Sequence, residues 1–367
     1  MRHNQHNREG SKMDRAEMIA NAQTLKETDM PEFGGRYQGK VRDCYSQRDT
    51  MVQVTTDRIS AFDFVLGRQI PFKGQVLTEI MCHMGEGVAD ILPYHVISRP
   101  DPQAVVVSKC KQFDVEFIVR GYITGSLWAD YINPEKGPKL AGAQYGIELP
   151  EGLRASQQFD EPIVTPTTKA KPKPGSKEKH HDVPVSRADI VSPVLLRKIE
   201  GIDGNPGDQN PFYIEAGQYD EMAGLSVQLF RRGQQMARGV RLILVDTKYE
   251  LGINQQGKLM VTDEIHTPDS SRYWWLAPYA ELFAAGKDQK SLSKEFVREW
   301  LKANGYDPKI GEASLPALTD EVVAETANRY IELCETLTGK EFVPGDMSRP
   351  LEQRVRDNLM RAGLSRW

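Results

Sequence analysis

Residues 245–274, VDTKYELGINQQGKLMVTDEIHTPDSSRYW, constrain this chain more than any other stretch. Asp246, Lys248 and Glu250 alternate with Thr247, Tyr249 and Leu251, and a strand's period of two sends the three charged side chains to one face. Residues 254–257 then supply turn chemistry and residues 258–262 resume a β-rich run. The stretch therefore reads as a hairpin that returns Asp263 and Glu264 towards Glu250. Like charges opposed on a ladder destabilise it, so Lys248 compensates, a hard cation does, or the carboxylates are displaced and solvated. Mg²⁺ suits the second case, because it takes one or two protein carboxylates and completes its octahedron with water and phosphate oxygens. A surface hairpin with scattered charges has the same pattern.

At 367 residues, 39% hydrophobic and 27% charged, the chain is long enough for one large core or two domains and is not composed for disorder. A formal net charge of −4 gives no reason to expect nucleic acid, although a local basic site for a small anion stays open. No apolar run approaches a membrane span, and no signal-like apolar segment follows the polar MRHNQHNREGSK. A cytoplasmic protein without a membrane partner is expected. Cys44, Cys82, Cys110 and Cys334 are dispersed without CxxC spacing, which suggests neither disulfides nor zinc. Cys82, His83 and the distant His95 match no metal spacing either.

Along the chain, residues 14–28 carry helix formers such as Ala16, Met18, Ala20 and Leu25 and read as an outer helix. GGRYQGKVRDCY at 34–45 is a Gly-rich turn whose N–H groups, with Lys40 and Arg42, suit phosphates as a lid over a nucleotide does; a solvated strand face is the alternative. TDRISAFD at 56–63 crowds Asp57, Arg58, Ser60 and Asp63 around Ile59 and Phe62, which suggests a tight hydrogen-bonded corner and not a regular element. Residues 74–84 look helical and 94–109 extended. EFIVRGYITGSLWADY at 116–131 puts Arg120 on a strand, with Gly121 and Gly125 marking a turn before Ser126. A phosphate fits there, and so does an Arg120 paired with Glu116 inside the sheet.

Residues 133–188 lose periodicity and gather Pro, Gly and Lys, so they read as a long insertion or loop. Within it Lys169 follows a cluster of hydroxyls, and His181 and Asp182 follow a basic run. Residues 218–241 are the longest helical candidate, with Met222, Leu225, Leu229 and Met236 inward and Arg231 and Arg232 outward. Helices are expected again at 292–303 and at about 320–337, the latter with Val323, Ala327, Tyr330, Cys334 and Leu337 along one seam before Gly339. A last helix, opened by Pro350 and carrying Arg354, Arg356 and Arg361, suits packing on a sister subunit or on its own chain, which leaves a homo-oligomer open.

GKVRDCY, TDRISAFD, VRGYITGS, DTKYELG and DEIHTPDSSRYW resemble, in order, the signature blocks of the SAICAR synthetase family, the phosphoribosylaminoimidazole-succinocarboxamide synthases of purine biosynthesis. The resemblance spans residues 39–274 and implies an α+β fold. A tail and outer helix at 1–33 would precede a small antiparallel-sheet lobe at 34–112 covering the nucleotide. A larger α/β lobe related to ATP-grasp folds would follow at 113–275, with its insertion at 133–188, and a C-terminal helical region at 276–367 would pack on that lobe.

The resemblance also implies the reaction. ATP would phosphorylate the carboxylate of carboxyaminoimidazole ribonucleotide, and the amine of L-aspartate would attack the acyl phosphate. Every substrate is an anion, so the site needs Mg²⁺, Arg and Lys to offset repulsion, and catalysis is mainly positioning and electrostatics. By motif position, Lys40, Arg42, Lys248 and Glu250 would serve ATP, and Glu250 with Asp263 would hold Mg²⁺. Arg120, Ser126 and Arg272 would bind the ribonucleotide, with Lys169 and Asp182 as further substrate contacts. Lys248, Arg272 and Asp269 would be catalytic, Asp269 by ordering its loop. Tyr249 and Leu251 stand where the family more usually has an aromatic pair, which leaves Glu250 in register.

Overall fold

Short β-branched runs punctuated by Gly, Asp and Pro build the first sheet of the computed structural model, which describes residues 14–169, 182–200 and 202–364. Strands β1 (Gly35–Gln38), β2 (Arg42–Ser46) and β3 (Thr50–Thr55) form a meander. A ribbon of β4 (Arg58–Ala61) and β5 (Phe64–Gln69) follows, and β6 (Val96–Asp101) and β7 (Ala104–Ser108) complete a five-stranded antiparallel sheet of order β1-β2-β3-β7-β6. The segment expected to be an irregular corner is thus a regular ribbon. Phe62 at φ 51° and Asp63 at φ 66° make its turn, and a left-handed pair there matches the twist of two joined strands.

The second sheet is built on two long strands, β8 (Cys110–Tyr122) and β11 (Leu242–Asn254), paired antiparallel. β9 (Gln158–Val164) and β10 (Thr167–Thr168) pair with β8, while β12 (Leu259–Thr262) and β13 (Ser271–Trp275) pair with β11. The hairpin expected at 245–262 is β11–β12, with Glu250 opposite Thr262. Phe117, Val119, Tyr249 and Leu251 join Met222, Leu229 and Phe230 of the helix Ala216–Gly239 in the main core. That helix covers one face of the sheet and leaves the other to the charged residues.

Three expectations are corrected. The outer helix is only Arg15–Ala20; beyond it, the N–H groups of Leu25 and Thr28 are captured at 2.6 Å by Asp57 and Asp43 carboxylates, which holds the chain extended. The insertion is partly regular, with a helix Gly137–Ala143 and the strands β9 and β10, because the FDEPIV run finds the free edge of β8. His181 and the basic run before it lie outside the described residues. Finally, the C-terminal region does not pack on the larger sheet alone. Leu276–Ala284 follows β13, but Asp320–Thr338 packs on the helix Lys73–Glu86, and Leu351–Arg361 packs on β6.

The last helix is pinned to its own chain by charge. Arg354, 3% exposed, donates to both oxygens of the fully buried Asp101 at 3.1 Å, and Asn358 adds a third bond at 2.7 Å. Arg356 reaches Glu32 at 2.6 Å. Among the described residues no helix is long and apolar enough to cross a membrane. Arg354→Leu leaves Asp101 buried without its main counter-charge, so urea unfolding is expected to show a loss of about 3 kcal/mol. A loss below about 1 kcal/mol would mean that Asn358 and the Gln103 N–H satisfy the carboxylate without Arg354.

Candidate active site

Beyond a register shift between Leu244 and Asp246, Tyr249 and Leu251 of β11 enter the main core, so Asp246, Lys248 and Glu250 share the opposite face, as the alternation predicts. β8 brings Glu116 and Arg120 to the same face, with Arg120 paired to Asp246 and Glu116 directly opposite Glu250. Lys248 bridges the opposed carboxylates, donating to Glu116 at 2.6 Å and to Glu250 at 2.7 Å. Lys169, just beyond β10, donates to the other oxygen of Glu250 and reaches Gln112 at 3.1 Å.

Burial opposes charge throughout this row, and the partners decide each outcome. At Glu116 burial wins, and the carboxyl is held above the usual range even though Lys248 pulls it down; Glu250 and Asp182 push it further up. At Glu250 burial is outweighed by Lys248 and Lys169, which hold the carboxyl well below the usual range. Burial likewise opposes the charge on Lys248, but Glu116 and Glu250 keep it protonated well above its ordinary value.

A second group forms where β12 ends. Asp263, at φ 58°, turns the chain out of the strand, and its carboxylate pairs with Arg42 of β2. Arg42 is buried, lies 3.8 Å from Glu264, and is thereby a tie between the two sheets. Lys40 does not join it: exposed in the β1–β2 turn, it pairs with Asp63 at 2.6 Å.

The other end of the face carries two arginines on one carboxylate. Arg272 of β13 reaches Asp246 at 2.5 Å and Glu295 at 3.2 Å, and Arg120 reaches the same Asp246 oxygen at 3.4 Å. The Arg120–Glu116 pair is not formed. Arg120 also donates to Thr165 at 2.8 Å and to Ser126 at 3.4 Å. Gly125, at φ 59°, opens the helix Gly125–Ile132, and a Cβ there would sit 2.4 Å from an Arg272 nitrogen. Only glycine lets the guanidinium lie against the start of that helix.

Asp269 stands apart from the open face. Its carboxylate accepts from Lys73 at 2.8 Å and from Tyr330 at 2.6 Å, with Lys294 4.0 Å away. Burial opposes its charge, but Lys73 and Lys294 hold it well below the usual range. With both oxygens engaged, Asp269 anchors its loop and does not present itself to a ligand.

A family model described as SAICAR synthetase matches residues 35–312. The chain belongs to the SAICAR synthetase family. It is 41% identical over 340 residues to the phosphoribosylaminoimidazole-succinocarboxamide synthase of Cytophaga hutchinsonii, covering 92% of this chain and 99% of that one. The enzyme of the same name from Legionella pneumophila is 40% identical over 342 residues, covering 92% and 98%. Among solved structures, the Saccharomyces cerevisiae SAICAR synthase complexed with SAICAR has a TM-score of 0.67 at 29% identity, covering 88% of this chain and all of that one (100%). Membership makes this chain an enzyme, a ligase of purine biosynthesis, and accords with its mixed antiparallel α/β architecture.

Within this family member the sequence reading missed Lys73, Lys294 and Glu295, and it weighed Glu116 only as a partner for Arg120. Glu116 was accessible: Glu116, Ile118 and Arg120 alternate just as Asp246, Lys248 and Glu250 do. Nothing in the local pattern around Lys73 or Lys294 points to Asp269, which is 196 residues from Lys73 in sequence.

Lys248→Met removes the bridge, raises the Glu116 carboxyl further and takes from Glu250 one of the two cations that hold its carboxyl low. A carboxyl that holds its proton more tightly folded than unfolded loses folding free energy as pH rises from the unfolded pKa through the folded one. Denaturant unfolding should therefore find Lys248→Met below wild type at pH 5, where the Glu250 pairing is already lost, and further below it at pH 8, where Glu116 must also ionise. An equal deficit at both pH values would show that Lys248 does not compensate Glu116.

Proposed function

We propose that this chain joins L-aspartate to the carboxylate of carboxyaminoimidazole ribonucleotide, using ATP and passing through an acyl phosphate to give SAICAR, ADP and phosphate. The observation that carries this reading is the single sheet face on which Arg120, Asp246 and Arg272 lie at one end and Glu116, Lys248, Glu250 and Lys169 at the other. One end suits a phosphate monoester and the other a triphosphate meeting a carboxylate. The names of the relatives at about 40% identity and the SAICAR held by the yeast neighbour support the same substrates.

Glu250 and Asp263 fit Mg²⁺ as hard oxygen donors, since oxygens already accepting from a cation keep a second lone pair. Among the described residues no cluster of three or more His, Cys, Asp or Glu is arranged for a metal, so water and phosphate oxygens would complete the shell. When bound there, Mg²⁺ supplies charge neutralisation of the phosphates. The chain's own residues do the rest. Arg42 and Lys40 flank the phosphates, with residues 34–112 as the covering lobe. Lys248 offsets charge at the transferring phosphoryl group, and Arg272, Arg120 and Ser126 hold the ribonucleotide phosphate. Lys169 and Asp182 lie beside this face and serve substrate contact.

In this reading residues 113–275 form an ATP-grasp-related catalytic lobe, and the enzyme works in the cytoplasm. A carboxylate oxygen attacks the γ-phosphorus and ADP leaves; the aspartate amine then attacks the acyl carbon, loses a proton, and expels phosphate carrying that oxygen. Ribonucleotide labelled with ¹⁸O in its carboxylate should yield phosphate with one ¹⁸O, and unlabelled phosphate would exclude the acyl phosphate. Arg272→Lys should raise the ribonucleotide KM by about 10- to 100-fold with the ATP KM unchanged, because lysine lacks the planar fork. A change confined to ATP would place Arg272 on the other substrate. Asp263→Asn should retain the fold and raise the Mg²⁺ concentration needed for half-maximal rate; an unchanged requirement would remove Asp263 from the metal.

A further inference from the structure

The loop that ends in Arg272 is held at one end by the catalytic sheet and at the other from outside it. Ser270 accepts from the backbone N–H of Lys248 at 3.1 Å, the Ser271 hydroxyl meets Thr247 at 2.7 Å, and Arg272 pairs with Asp246. Its upstream anchor is the Asp269 carboxylate. One donor to that carboxylate is Lys73, fully buried on the helix Lys73–Glu86. The other is Tyr330, 1% exposed on the helix Asp320–Thr338, which lies beyond residue 312, where the family match stops. The ammonium of Lys73 also lies 6.0 Å from the centre of the Tyr330 ring, so the two donors brace each other.

We propose that Tyr330 is a positioning residue of the ligase, acting through Asp269 to set where Arg272 meets the ribonucleotide. The inference rests on the ligase reading and deepens it, because it gives the C-terminal helix a part in substrate geometry. Removing the hydroxyl leaves one oxygen of a buried carboxylate without its donor, and the loop must shift to find another. Displacements of about 1 Å in a positioning shell reduce rates by up to about 100-fold. The effect should fall on the substrate that Arg272 contacts, since the nucleotide candidates Lys40 and Arg42 sit in the β1–β2 turn and on β2, in the other sheet.

Tyr330→Phe keeps the ring and its packing. Steady-state kinetics are expected to show the ribonucleotide KM raised about tenfold and the ATP KM within about twofold of wild type. Val323→Ala, a buried change on the same helix, should lower the thermal midpoint and leave both KM values alone. Asp269→Asn should reproduce the split seen in Tyr330→Phe, and it provides the test if Tyr330→Phe does not fold. Wild-type KM values in either hydroxyl or carboxylate variant, whatever the midpoint, overturn the inference while wild-type turnover keeps the parent reading intact. A wild-type enzyme that neither binds nor turns over the ribonucleotide overturns both.

Discussion

Glu116 and Glu250 stand opposite each other across β8 and β11, and the ammonium of Lys248 lies between them. Two unit charges about 4 Å apart interact by about 4 kcal/mol at an effective dielectric near 20, against the roughly 0.2–1 kcal/mol that a favourable cross-strand pair supplies. With both carboxylates charged, the sheet needs cations on that face to hold this register. Lys248 and Lys169 supply them, and the row becomes a preformed polar surface in a wall otherwise backed by apolar core. A surface of that kind is ready for anionic ligands, because its dipoles and charges need little rearrangement when the ligand arrives.

The rest of the fold serves to register this face against its surroundings. Arg42 links the first sheet to Asp263, and Arg272 links β13 to β11 through Asp246. Asp269 ties the intervening loop to two helices distant in sequence. Each tie joins elements from different parts of the chain by a charge pair that is largely buried. Removing one partner from such a pair leaves an uncompensated charge, so these contacts fix geometry more strongly than surface ion pairs do.

How much of this could be read from the residues differs from place to place. The β11–β12 hairpin and its charged face follow from strict alternation and a turn, which are local signals. The helix Asp320–Thr338 is equally legible, since Val323, Ala327, Tyr330, Cys334 and Leu337 are all buried and Gly339 closes it at φ 67°. The early end of the outer helix was not legible, because Asp57 and Asp43 take its backbone N–H groups from far along the chain. The partners of Asp269 were hidden for the same reason. Arg120 shows the middle case: its strand was evident, but the choice between Glu116 and Asp246 depends on the β8–β11 register, which neither strand carries alone.

If the charged face works as a ligase site, its anions must act together. The most direct measurement is ADP release with Mg²⁺-ATP, carboxyaminoimidazole ribonucleotide and L-aspartate, omitting each in turn, with product followed in parallel. ADP and succinocarboxamide product in equal amounts, only when all three are present, is the predicted result. ADP release that is indifferent to the ribonucleotide, or no product with all three present, would contradict it.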